Sequence, residues 1–196
     1  QTDADVLIRH QLNEGSKQPE PRAAPPAATS AGSELITDLY DLSQVTVAAE
    51  KLERFASVEL IPNKTMRISL TGDLLFPSGQ SDLTPDARTS LEKLVPVIAK
   101  TPNMINVIGH TDDQPIHSAR YPSNWELSLA RASQVARFLI EATGLPPGQF
   151  SVAGHASFRP MLPNRNEENR RTNRRVELIL SLEPMPAEPV NPATSQ

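Results

Sequence analysis

The stretch "SNWELSLARASQVARFLIEATG", residues 123 to 144, carries the strongest helix signal in the chain and limits what surrounds it. Ser123 and Glu126 read as a capping box, and Gly144 reads as the terminator. Ala132, Val135, Ala136 and Leu139 fall on one apolar stripe. A helix with one such stripe has to bury it against another layer. The neighbouring segments supply that layer. "MINVIGH" precedes the helix and "FSVAGH" follows it, each a short apolar run with strand character, and both end a strand on Gly-His.

The alternation continues on both sides. "SVELIPNKTMRISL" reads as two strands around a Pro62-Asn63-Lys64 turn. "LTPDARTSLEKLVPVIAK" opens with Thr84 as N-cap and Pro85 at the first helical position. Ala87, Leu91, Leu94, Val95 and Ile98 recur within it at helical spacing, and Pro96 kinks it or tightens its end. "RRVELILSL" is a last strand, preceded by a polar segment with a short helix. Strands and helices in this order predict an α/β (α+β) two-layer sandwich, a mixed β-sheet with helices packed on one face.

The ends differ in composition. The 196 residues include nineteen prolines, clustered towards the two termini. Residues 1–33 contain "KQPEPRAAPPAATSAGS", which reads as a semi-extended linker spanning on the order of 100 Å. Residues 34–58 form a linker helix region, expected to break near Ser43, and 184–196 form a disordered tail. The ordered domain is expected over 59–183. No run approaches 18 apolar residues and no signal peptide is visible. The sequence begins abruptly at Gln1 and so reads as a soluble fragment of something longer.

Function classes narrow quickly. A net charge of -4 disfavours nonspecific nucleic-acid binding. The absence of cysteine removes disulfides, thiolate metal sites and cysteine lipidation from these residues. There is no G-x-S-x-G elbow, and a Ser-His-Asp triad would need long-range placement that the sequence does not support. His110, Asp112, His117 and His155 match no common metal-ligand spacing, so no metal and no cofactor is expected. A metal-dependent hydrolase using His110, Asp112 and His155 is the competing enzyme class.

Two charged features remain. Arg131 lies four residues from both Leu127 and Val135 and borders the apolar stripe, where a guanidinium needs a partner. A structural salt bridge is the plain explanation. Asp112 and Asp113 follow the end of a strand, where ligand-binding loops gather in α/β sheets, or they serve as turn and cap residues. "RNEENRRTNRR" reads as a solvated face or a sheet-anchoring arginine pair, with Arg174 or Arg175 directed inward.

"FPSGQSDLTPDARTSLEKL", "GHTDDQPI", "NWELSLARASQV" and "NRRVEL", taken in series, resemble the OmpA-like peptidoglycan-binding domain over about residues 58 to 183. "GHTDDQPI" with "YPSNWELSLARA" is similar to its flagellar stator subfamily of MotB type. The resemblance implies a non-catalytic anchor that fixes a stator to the cell wall. It implies a binding set of Asp112 for the ammonium of diaminopimelate in the peptide stem and Arg131 for its carboxylate. Asn124 and Leu127 match the same motif, Thr111 lines the cradle, and Arg174 completes the set. It also implies a homodimer and a MotA-type membrane partner. The location it implies is the periplasmic side of a single-pass inner-membrane protein whose transmembrane helix lies upstream. The alternative is the cell-wall anchor of a type VI secretion system or another OmpA/Pal-like envelope protein.

Overall fold

The computed structural model describes residues 28–62 and 65–180. It builds helix α1 (Ala28–Ala49), the antiparallel strands β1 (Ala56–Ile61) and β2 (Thr65–Thr71), the single-turn helix α2 (Gly72–Leu75) and helix α3 (Pro85–Ile98). Strand β3 (Ile105–His110), helix α4 (Asn124–Thr143), strand β4 (Phe150–Gly154), helix α5 (Glu167–Asn173) and strand β5 (Arg175–Leu180) follow. The five strands lie in the order β1-β2-β5-β3-β4. β3 and β4 are parallel, joined through α4, and the other pairings are antiparallel. The mixed sheet with its helices is the expected two-layer sandwich.

Strand periodicity sorts the side chains. Met66, Ile68 and Leu70 of β2, Ile105 and Val107 of β3, and Val176, Leu178 and Leu180 of β5 are buried on the helical side. They meet Ala87, Leu91, Leu94 and Ile98 of α3 and the predicted stripe Ala132, Val135, Ala136 and Leu139 of α4. Thr84 caps α3 by accepting from the Ala87 amide at 3.1 Å, and Pro96 sits within its last turn. Gly144 ends α4 at φ 70°, the left-handed conformation that glycine adopts without strain. Ser123 accepts from the Trp125 amide at 3.2 Å and donates to the Glu126 carboxylate at 2.6 Å. This is a side-chain variant of the expected capping box.

Three expectations about the first segment change. Helix α1 begins at Ala28, six residues inside the expected linker of 1–33. It runs unbroken through Ser43, whose buried hydroxyl donates to the Leu39 carbonyl at 2.6 Å. With its donor satisfied inside its own helix, the serine can be buried there and need not end it. Ile36, Leu39, Ser43 and Val47 share one buried face, packed towards α3 and β1. Strand β1 starts at Ala56, so residues 56–58 belong to the sheet, not to a linker helix region. Residues 1–27, the tip of the Pro62-Asn63-Lys64 turn and the expected tail of 184–196 lie outside the described residues.

The Gly-His repeat has a packing cause. Gly109 and Gly154 are register partners on β3 and β4, and α4 crosses both at Ser128. A β-carbon on Gly109 would lie 2.0 Å from the Ser128 carbonyl oxygen, and one on Gly154 would lie 2.6 Å from the Leu129 nitrogen. Only glycine lets the helix backbone come this close. The histidines that follow, His110 and His155, meet edge to face with ring centroids 5.2 Å apart.

His110 is 3% exposed, and its pKa is lowered to about 3, first by burial and then by Arg175 and His155. A histidine so depressed stays neutral in the folded chain while the unfolded chain takes up a proton near pH 6.5. Stability therefore falls as pH drops from about 6.5 towards 3.

Replacing Gly109 with alanine is expected to cost roughly 1–3 kcal/mol or more by urea unfolding, because backbone would have to move. A neutral wild-type stability would contradict the close seat of α4. Replacing His110 with glutamine should flatten the stability profile between about pH 6.5 and 3 by one proton. Urea midpoints across that range test it, and an unchanged slope would refute the assignment.

Candidate functional site

Antiparallel pairing of β5 with both β2 and β3 brings the ends of β2 and β3 to the start of β5. Thr71 and His110 are both register partners of Arg175. The segments leaving these ends, together with the start of α4, enclose a cavity of about 660 Å³. Asp73 comes from α2, Thr111 and Asp112 from the loop after β3, Asn124, Leu127 and Arg131 from α4, Glu167 from α5, and Arg174 from the residue before β5. All six residues expected from the sequence, Thr111, Asp112, Asn124, Leu127, Arg131 and Arg174, line this one cavity.

Arg174 is its electrostatic hub. Its Nε and Nη2 donate to Asp73 at 2.7 and 2.8 Å, its Nη1 to Asp112 Oδ2 at 2.6 Å, and its Nη2 also to Glu167 at 2.6 Å. The hydrogen bonds it donates to Asp73 hold the guanidinium pKa well above its ordinary value, with Asp112 and Glu167 adding to this against the cost of burial. Asp112 Oδ1 accepts from the Gln114 amide at 3.1 Å, which pins the loop as an Asx-type turn. The second acid of the pair goes elsewhere. Asp113 meets Arg170 at 2.9 Å and is held below the usual carboxylate range by that contact.

Arg131 is 6% exposed but makes no salt bridge with a described residue, where the sequence led one to expect a structural ion pair. Its Nε donates to the Gln80 carbonyl at 2.8 Å, and its Nη2 lies 3.5 Å from the Pro77 carbonyl. The guanidinium carbon stands 5.1 Å from the centre of the Phe76 ring. Burial pushes its pKa down while Asp73 and Asp112 push it back up. Two carbonyls orient the group without neutralising it. The buried charge stays available to a ligand through Nη1 and Nη2, whereas Nε is already used.

The remaining members build the walls. Asn124 donates to the Gln114 carbonyl at 2.8 Å, holding the loop over the start of α4. Thr111 donates to the Asp112 carbonyl at 2.9 Å, so its hydroxyl shapes the loop. Leu127, 4% exposed, supplies apolar surface. Three carboxylates against two guanidiniums leave the lining with one net negative charge.

Asp73 and Glu167 were missed by the sequence reading. Asp73 follows directly from the end of β2 in "LTGDLL", at the same edge of the sheet as Asp112, which is the signal that could have found it. Glu167 was grouped with Glu168 as surface charge. The metal candidates do not assemble. His110 and His155 line a different cleft, and His117, exposed, contacts the Pro122 carbonyl at 3.1 Å.

Comparisons with known proteins agree with this fold. The OmpA family profile matches residues 75–174. Motility protein B of Helicobacter pylori is 38% identical over 117 residues, which is 58% of this chain and 45% of that protein. The crystal structure of a putative MotB-like protein from Desulfovibrio vulgaris superposes with a TM-score of 0.73 at 28% identity, covering 80% of this chain and 97% of that one. The cell wall anchor of the T6SS from Pseudomonas aeruginosa gives 0.64 at 32% identity, covering 69% and 94%. The chain spans about half the length of the curated relatives it matches.

Removing the hub is expected to destabilise the domain. Arg174→Ala leaves Asp112 and Glu167 without a salt bridge and Asp73 with only its 3.5 Å contact to Arg171, and should cost roughly 1–3 kcal/mol in urea unfolding, between the values for exposed and buried pairs. Adding Asp73→Asn should recover part of that loss. Strict additivity of the two substitutions would show that the carboxylates do not act through Arg174.

Proposed function

This chain belongs to the OmpA family, and from that premise we propose that it is a non-catalytic peptidoglycan anchor of a MotB-type flagellar stator. The observation that carries the reading is the placement of Asp112 and Arg131, groups of opposite charge, in one cavity. Diaminopimelate in a peptide stem presents an ammonium and a carboxylate on one carbon. The carboxylate meets the Nη1 and Nη2 edge of Arg131, a charge-assisted contact in a site that excludes most water. The ammonium meets the acidic side, where Asp112 and its neighbours outweigh Arg174. Leu127 packs against the aliphatic part of the ligand.

The proposal extends to the rest of the protein. The domain sits in the periplasm, tethered to a membrane helix that pairs with a MotA-type subunit. Two copies of the chain act together in one stator unit. Among the described residues no helix is long and apolar enough to cross a membrane.

A secretion-system anchor is the second reading, supported by the likeness to the T6SS protein. The stator reading is preferred because the likeness to the MotB-like structure extends over 80% of this chain, against 69%.

Co-sedimentation with insoluble peptidoglycan tests the binding. The wild-type chain is expected to pellet with it, and Arg131→Leu should weaken the association about tenfold or more, from loss of one charge-assisted contact. Circular dichroism establishes that the variant is folded. A folded Arg131→Leu chain that pellets like wild type would show that this cavity is not the binding site.

A further inference from the structure

The side of the sheet that faces away from α3 and α4 has its own unsatisfied chemistry. The register places Thr71, Arg175 and His110 in one row across it, with His155 continuing beyond His110. Ser69, Glu177 and Ile108 form the next row, and Arg67, Ile179 and Asn106 the one after. The loop after β4 folds over the first row, where the Arg159 carbonyl accepts from Arg175 Nη2 at 3.2 Å. Between loop and sheet lies a cleft of about 520 Å³ lined by Arg67, His110, His155, Arg159, Arg175 and Glu177, among others.

Six buried side-chain nitrogen or oxygen atoms among the described residues lack a hydrogen-bond partner, and five of them are on this side. They are Arg67 Nε, Ser69 Oγ, both ring nitrogens of His110, and His155 Nδ1. Ser69 lies outside the cleft, but the other four, on Arg67, His110 and His155, belong to residues that line it, with Glu177 Oε2 standing 3.8 Å from His110 Nε2, beyond hydrogen-bond reach. Native interiors keep such atoms paired, so four of them in one cleft point to a partner the protein alone does not provide. His110 is 97% buried by exposure and directed into the cleft, the kind of group a bound molecule satisfies.

Charge selects the kind of molecule. Arg175 is paired with Glu177 at 2.7 Å and Arg67 with Glu59 at 2.5 Å. The Arg159 side chain is exposed and makes no hydrogen bond or ion pair with a described residue, so the cleft carries one uncompensated positive charge. The guanidiniums of Arg175, Arg159 and Arg67 all act to keep His110 neutral, and those of Arg159 and Arg175 do the same to His155. The same field repels a metal cation from the imidazoles. It attracts an anion, which the ring N–H groups and Arg67 Nε can meet as donors.

We propose that this cleft is a second binding site, specific for an oxyanion, a carboxylate or a phosphate, held by Arg159 at the mouth and by His110, His155 and Arg67 within. It shares no lining residue with the cavity of Asp112 and Arg131, so it stands whether or not that cavity binds the cell wall.

The test is a titration of the 196-residue chain with inorganic phosphate and, separately, with acetate, against sodium chloride at matched ionic strength. The ring resonances of His110 and His155 are followed by NMR. Saturable shifts of both rings with at least one oxyanion, absent with chloride, are expected. Saturation with phosphate alone identifies a phosphoryl ligand, and saturation with acetate alone a carboxylate. Arg159→Ala, which removes only an exposed side chain, should weaken the binding about tenfold. Arg131→Leu should leave it unchanged, which separates this site from the first. Shifts that merely follow ionic strength, or an Arg159→Ala chain that binds as tightly as wild type, would overturn the proposal.

Discussion

The closeness of helix α4 to the paired glycines of β3 and β4 sets the position of nearly everything with a chemical role. Backbone-to-backbone contact at Ser128 fixes how far along its axis α4 lies over the sheet. Asn124 and Leu127 stand within one turn of Ser128 on its N-terminal side, and Arg131 stands one turn beyond it. Their distance from the loop after β3 therefore follows from two missing side chains. Ser128 adds to the fixation, since its hydroxyl accepts from the Ala156 amide at 3.1 Å and so ties the loop after β4 to the helix. A larger residue at Gly109 or Gly154 would lift α4 and open the cavity at Arg131 with no change in any residue that lines it.

Within that frame, the two guanidiniums of the cavity serve different ends. Arg174 is saturated by carboxylates from three segments and acts as a clasp between Asp73, Asp112 and Glu167. A clasp of this kind gives modest net stability, because desolvation offsets much of the attraction, but it fixes where the acids stand. Arg131 is the reverse case. Two backbone carbonyls hold its plane, and a phenyl ring lies beside it, while no carboxylate of the described residues forms a salt bridge with it, Asp73 and Asp112 acting on it only through space. Orientation without neutralisation costs folding energy and leaves a group whose best partner comes from outside. Asymmetry between these two arginines is a better functional indicator than the presence of either.

Much of this was legible in the sequence because it rests on short-range rules. The stripe of α4, the Thr84-Pro85 start of α3 and the Gly144 stop follow from spacing and local geometry. The six expected cavity residues lie in motifs that carry a family resemblance, so their meeting in one cavity could be anticipated. The remainder depends on tertiary contacts that no local rule encodes. Ser43 looked like a break because its hydroxyl competes with backbone, yet α1 absorbs it through a bond to its own previous turn. Asp73 gave no signal of its own, since its role exists only once β2 and β5 pair and bring Arg174 alongside. Glu167 and Glu168 are indistinguishable as text, and only the N-terminal position of Glu167 in α5 aims it at Arg174.

Strand alternation also explains why one end of the sheet can hold two unlike clefts. Arg174 and Arg175 are adjacent, yet the first turns to Asp112 in the cavity and the second to Glu177 on the opposite side of the sheet. His110 and Thr111 divide in the same way, the first into the cleft and the second into the cavity. The period of two sends neighbours to opposite sides, so a short stretch of β3 and the start of β5 serve both clefts at once. Arg175 and His110 are register partners, and each is followed or preceded by a residue of the first cavity.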